Sequence, residues 1–238
     1  MLEIRDLVVH RDGRRVVDGL NIAVPKGCIY ALLGGNGAGK TTTIDVTLGF
    51  VPPAGGTVLV DGLSPVADPA AVRRRVAYLP ENVALYPYLS GAENLDYFCA
   101  IAGISLSRAE ATALLDGAGL ARDAHGRRVA KYSKGMRQKV GLAIAQAKSA
   151  SLLLLDEPTS GLDPAAADDM ASRVRQAADA GTAVLMATHD LFNARQLADR
   201  IGILRAGVLV AEFDAATVGH EALASTYLAH ARAQGVAP

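Results

Sequence analysis

Among its 238 residues the chain has no tryptophan, two cysteines, seven tyrosines, four phenylalanines and no excess of either charge. Each scarcity excludes something. Cys28 and Cys99 both lie inside apolar segments, so they read as small core residues rather than a disulfide, which suits a reducing compartment. The histidines (His10, His125, His189, His220 and His230) show no metal-ligand spacing among themselves or with cysteine. Lys plus Arg equals Asp plus Glu at 24 each, and a neutral chain lacks the basic footprint of a nucleic-acid binder. No secretory leader pattern is visible, and no apolar run approaches the ~18 residues of a membrane span. If the protein serves a membrane process, another chain is expected to cross the bilayer. The one local charge excess, Arg122, Arg127, Arg128, Lys131, Lys134, Arg137 and Lys139, reads first as a solvated face and second as a group near phosphates.

What is present is glycine in a telling place. Residues 34 to 41 read Gly-Gly-Asn-Gly-Ala-Gly-Lys-Thr, the phosphate-cradling loop pattern known as Walker A. A loop whose amides all aim at one phosphate chain needs residues with no Cβ in the way. Gly34, Gly35, Gly37 and Gly39, with Asn36 and Ala38 between them, supply that freedom. Lys40 would set an ammonium against the β- and γ-phosphates, and Thr41 would offer a hydroxyl to Mg²⁺, with Thr42 next in line. Before the loop, residues 28–33 form a short apolar run expected to be a buried strand. After it, residues 41–48 can be a helix whose positive end faces the phosphates. The loop implies nucleotide binding, but kinases, GTPases and transport ATPases all share it.

The pattern around this loop predicts strands at 2–9 and 16–24, split by the turn signal Asp12-Gly13, and further strands at 57–60 and 76–79. From about residue 90 the texture becomes helical. Ser90 with Glu93 and Ser107 with Glu110 have capping-box spacing. From Leu152 the alternation of strand and helix returns: the four leucines 152–155 form a fully buried strand, and Asp163-Pro164 opens a helix. Strands at 184–187, 201–204 and 208–213 complete the sheet. The expected organisation is a core lobe over about 1–81 and 149–216, a helical subdomain over about 82–148, and a C-terminal helical tail over about 217–238.

Asp156-Glu157 ends the leucine strand directly. An acid there, beside a phosphate loop, is placed to organise Mg²⁺, and a second carboxylate can polarise water for attack on the γ-phosphate. Tyr132-Ser133-Lys134-Gly135-Met136-Arg137-Gln138 precedes an apolar helical stretch and, taken alone, needs no function. Taken with Ser160-Gly161-Leu162-Asp163 and Thr188-His189, these segments closely resemble the ATPases of ATP-binding-cassette (ABC) transporters over essentially the whole chain.

That resemblance implies a P-loop NTPase of the ABC type, an α/β fold with a mixed-sheet core lobe and a helical insertion subdomain. It implies ATP and Mg²⁺ as cofactors, a head-to-tail dimer of this chain with itself or a related ATPase, and a separate polytopic membrane permease. Its place would be peripheral, at the cytoplasmic face of the membrane, with no nucleic-acid partner. Ser133, Gly135 and Met136 would cap the nucleotide bound by the opposite subunit. Glu157 would be the catalytic base, His189 the γ-phosphate contact, and Thr41, Glu81 and Asp156 the metal side of the site. The export-type branch fits Leu79-Pro80-Glu81 and the 132–138 segment best. The competing function is a soluble ABC ATPase acting on ribosomes or DNA. Two positions depart from the family: Glu81 stands where glutamine is usual, and His10, Arg11 and Asp12 stand where an aromatic normally stacks on adenine. Tyr86, Tyr88, Tyr97 and Phe98 divide between packing the insertion and lining a groove for a permease helix.

Overall fold

The computed structural model describes residues 1–232, so residues 233–238 of the expected tail lie outside the described part. Two sheets carry the fold. The smaller is antiparallel, with β1 (Leu2–Arg11) between β2 (Arg14–Val24) and β4 (Gly55–Val60). Asp12 and Gly13 join the first two strands, both at positive φ (49° and 73°), as a two-residue hairpin turn whose twist matches the strands requires.

The larger sheet runs β5 (Val76–Leu79), β6 (Leu152–Asp156), β7 (Ala183–Thr188), β3 (Ile29–Leu33), β8 (Arg200–Arg205), β9 (Val208–Asp214). All neighbours are parallel except β9, which returns antiparallel beside β8. Both faces of its centre are buried, which is why β6 is four consecutive leucines rather than an alternating strand. Leu152 and Leu154 pack towards the small sheet with Leu2, Leu20 and Tyr30, whereas Leu153 and Leu155 pack towards the helices with Met170 and Val174.

α1 (Lys40–Thr47) follows β3 directly, and α7 (Pro164–Asp179) follows β6 with Asp163 as its cap and Pro164 at the first helical position. Between β5 and β6 the chain makes α3 (Gly91–Ile101), α4 (Arg108–Gly117), α5 (Arg122–His125) and α6 (Lys134–Ala147). Both expected capping boxes form, Ser90 with Glu93 and Ser107 with Glu110. α6 packs against the large sheet, with Leu142 and Ala143 in the same core cluster as Leu79, Leu153 and Leu155. It runs so close to β5 that a Cβ on Gly141 would stand 2.5 Å from Leu79 Cδ1. Two short helices went unanticipated, α2 (Pro69–Arg75) and α8 (Leu191–Leu197), each opened by an aspartate cap at Asp68 or Asp190. The Asp-Pro pair at 68–69 was a legible start signal for the first. α9 (His220–Arg232) closes the described chain, in which no helix is long and apolar enough to cross a membrane.

Candidate functional site

The parallel strands β3, β6 and β7 end side by side, and the phosphate-loop residues gather at those ends. Gly37 and Gly39 take positive φ (75° and 108°). A side chain on Gly39 would also meet the Val16 carbonyl oxygen at 2.7 Å, so both conformation and space demand glycine. Gly39 caps α1 without a side chain, which leaves the amides of the first helical turn open to an anion. Lys40, only 7% exposed, donates to the carbonyls of Gly34 at 2.7 Å and Gly35 at 3.3 Å. Its ammonium also lies 3.5 Å from Glu157 Oε1. Residues 35 to 42, Val16, Glu81, Asp156 and Glu157 together line a cleft of roughly 270 Å³.

The acidic side of the cleft comes from β6. Thr41 Oγ1 donates to Asp156 Oδ2 at 3.1 Å. Burial pushes the Asp156 carboxyl above its ordinary range, the Thr41 hydroxyl opposes that, and the Glu157 charge adds to it. Glu157 turns out of the strand at φ 48°, a left-handed conformation rare for a residue with a side chain. Register explains where it lands. Asp156 pairs with Ala187 across β6 and β7, so Glu157 stands over Thr188 and His189. Its carboxylate takes His189 Nδ1 at 2.9 Å, Thr188 Oγ1 at 3.2 Å and the His189 amide at 3.3 Å.

These residues fit nucleotide phosphates with Mg²⁺. Thr41 and Asp156 offer hard oxygen donors beside the open amides, with Glu81 at the rim. Among the described residues no cluster of three or more His, Cys, Asp or Glu forms an all-protein metal cage. The Thr41 and Asp156 oxygens suit a cation that completes its shell with phosphate and water.

Not every expected site residue joins this cleft. Ser133 caps α6, accepting the Met136 amide at 3.2 Å, and Ser133, Gly135 and Met136 line no part of the cleft around Lys40. Gly135 faces Leu162 and Ala166, and the Met136 sulfur meets Arg127. Arg11 is ion-paired to Asp45 of α1, so it stands beside the phosphate-loop helix. The basic group divides into local partnerships: Arg122 with Asp116, Lys139 with Asp169, Lys134 with Glu81. None of its members lines the cleft. Sequence reasoning did not single out Val16 as cleft lining or Thr188 as a Glu157 partner. The first carries no motif; the second was legible as the polar residue ending β7.

A glycine-rich strand-to-helix loop with lysine and threonine, set beside a strand-end acidic pair, defines a phosphate-loop nucleotide-binding domain. Residues 17–160 match the family model described as ABC transporter, and the chain belongs to that family. It is 42% identical over 213 residues to the daunorubicin/doxorubicin resistance ATP-binding protein DrrA of Streptomyces peucetius, covering 89% of this chain and 64% of that protein. It is 39% identical over 201 residues to the daunorubicin resistance ATP-binding protein DrrA3 of Streptomyces coeruleorubidus, covering 84% of this chain and 63% of that one. The chain therefore spans somewhat less than two thirds of the length of these relatives. A solved structure described as the ATP binding subunit of an ABC transporter superposes with a TM-score of 0.83 at 30% identity, covering 96% of this chain and 99% of that one.

Proposed function

We propose that this chain is the ATP-hydrolysing subunit of an ABC transporter, working as a head-to-tail dimer that powers a separate membrane permease in the export direction. One observation carries the reading: Glu157 is held by His189 at 2.9 Å, at the edge of a cleft that also contains Lys40 and the Thr41–Asp156 pair. A carboxylate so held, next to an anion-binding loop, is placed to orient and deprotonate a water near a terminal phosphate.

In this reading the loop amides and Lys40 bind and orient the β- and γ-phosphates of ATP. Thr41 and Asp156 would hold Mg²⁺, with Glu81 at the rim, and the bound ion would supply charge neutralisation at the phosphate oxygens. Glu157 takes the proton of the attacking water. His189 keeps the Glu157 carboxylate in place on one side and contacts the γ-phosphate on the other. Ser133, Gly135 and Met136 act on the nucleotide of a second copy, since a segment that lines no part of its own cleft is free to serve another. ATP then joins the two copies, and loss of the γ-phosphate releases them.

The cytoplasmic face of the membrane is the location this assembly requires, and a polytopic permease is its partner. Tyr86 and Tyr97 pack edge to face at 4.7 Å, with Phe98 beside them, while Tyr88 is 81% exposed. We assign this aromatic surface to a permease helix. The drug-resistance names of the relatives support the export direction; the cargo is selected by the permease.

Glu157→Gln tests the reading. The variant is expected to bind ATP, to dimerise in its presence and to lose hydrolysis by roughly 10²–10⁴-fold, the usual cost of removing a general base. Phosphate release and light scattering read the two effects. Full hydrolysis in the variant sinks the assignment of the base.

A further inference from the structure

The phosphate cleft and the segment carrying Ser133 and Gly135 meet at a single carboxylate. Glu81 lines the cleft, and its Oε1 accepts the Ser160 hydroxyl at 3.1 Å and the Lys134 ammonium at 3.5 Å. Lys134 sits between Ser133 and Gly135 and opens α6, and its ammonium also approaches Gly161. Lys134, Gln138 and Gly141 follow one another at helical spacing and share a face. Gly141 of that face touches Leu79 and Val83, which bracket Glu81 in the chain. Gln138, between them, is fully buried, and neither its amide nitrogen nor its oxygen has a partner among the described residues. An unpaired buried amide is costly. The face therefore combines one charged tether with one unsatisfied polar group.

We propose that Lys134 is a positioning residue, the counter-ion that holds Glu81 at the rim of the cleft and thereby ties the cleft to the helix presenting Ser133 and Gly135. The inference rests on the nucleotide reading above. The physical reason for such a tether is that this position puts a carboxylate in the lining of the cleft proposed to take the phosphates. A lysine beside it offsets that charge; without the lysine, Glu81 repels the most highly charged nucleotide most.

Calorimetric titration of Mg²⁺ with AMP-PNP, and separately of Mg²⁺ with ADP, distinguishes this role from simple packing. Lys134→Met should weaken AMP-PNP about fivefold, as expected for a partly exposed pair, and ADP distinctly less. Lys134→Arg should bind like the parent. Glu81→Gln combined with Lys134→Met should recover the AMP-PNP affinity of Glu81→Gln alone. An equal loss for both nucleotides, or the same Lys134→Met loss in the Glu81→Gln background, overturns the proposal. If the parent binds neither nucleotide, it is the nucleotide reading that has failed. Thermal unfolding of the two single variants and the double variant then decides the pair by itself: non-additive melting shifts uphold it, and additive shifts overturn it.

Discussion

The cleft at the ends of β3, β6 and β7 and the amino end of α6 are the two chemically marked regions of this molecule, and they are built on opposite principles. In the cleft nearly every polar group answers another from the same chain. Lys40 is met by two carbonyls and Glu157, Asp156 by Thr41, and Glu157 by Thr188 and His189. At α6, among the described residues, the Ser133 hydroxyl serves only its own helix, Gly135 faces Leu162 and Ala166, and the Met136 sulfur meets Arg127. The first region is preorganised within one copy, while the second presents a helix start outward. The difference teaches that the two regions are of unequal completeness. In the reading proposed above, Ser133, Gly135 and Met136 complete a nucleotide site only against a second copy.

Mixing two crippled chains breaks or sharpens that contrast most strongly. Lys40→Ala and Ser133→Ala should each lower hydrolysis by roughly 100-fold or more, the scale of losing a charge-stabilising donor. In a mixed dimer one composite site regains both Lys40 and Ser133, so the mixture should exceed either variant alone in a phosphate-release assay. No recovery on mixing would mean that the two segments do not serve a shared site.

A second contrast lies inside the loop. Gly39→Ala forces a Cβ into a left-handed conformation and against the Val16 carbonyl, whereas a Cβ on Gly35 meets nothing within 4 Å. Gly39→Ala should therefore cost about 1–2 kcal/mol in conformation alone, plus the clash, and should abolish nucleotide binding at ordinary concentrations. Gly35→Ala should unfold at nearly the parental temperature. Equal melting temperatures for the two variants would contradict the strained geometry at Gly39.

The smallest effect concerns Asp156. Its carboxyl titrates above the ordinary range because it is buried, so the folded state disfavours the ionised form. The ionised group therefore costs stability above its folded pKa, and the cost fades as pH falls through that value. Without Mg²⁺, Asp156→Asn should melt above the parent at neutral pH, and the gap should close towards acid. A gap that widens on acidification would reverse the assigned cause.

Much of this arrangement is legible in the order of the amino acids. The leucine run at 152–155 forms a strand buried on both faces, Ser90 and Ser107 close their capping boxes, and Asp163-Pro164 opens α7. These readings succeed because propensity, capping and hydrophobic pattern are local, and each acts within a few residues. The phosphate loop is legible for the same reason, since its glycines, lysine and threonine are contiguous. The partnership of Arg11 with Asp45 and the sharing of Glu81 between Ser160 and Lys134 are not legible in this way. Both join segments tens of residues apart, and no local pattern requires either pairing.

By itself the sequence determined that the chain would form a two-faced buried sheet, that residues 34–41 would turn the chain from strand to helix through glycines, and that an acidic pair would end the strand before Pro158. Those outcomes follow from backbone freedom, burial and residue order. Only the tertiary structure decided that Glu157 would lie against His189, because that depends on the β6–β7 register, and that Ser133 would stand apart from Lys40, because the four helices between β5 and β6 carry it away. It also decided that Glu81, at the end of β5, would face both regions at once. Strand order places that carboxylate at the cleft, and the close approach of α6 at Gly141 brings Lys134 to it.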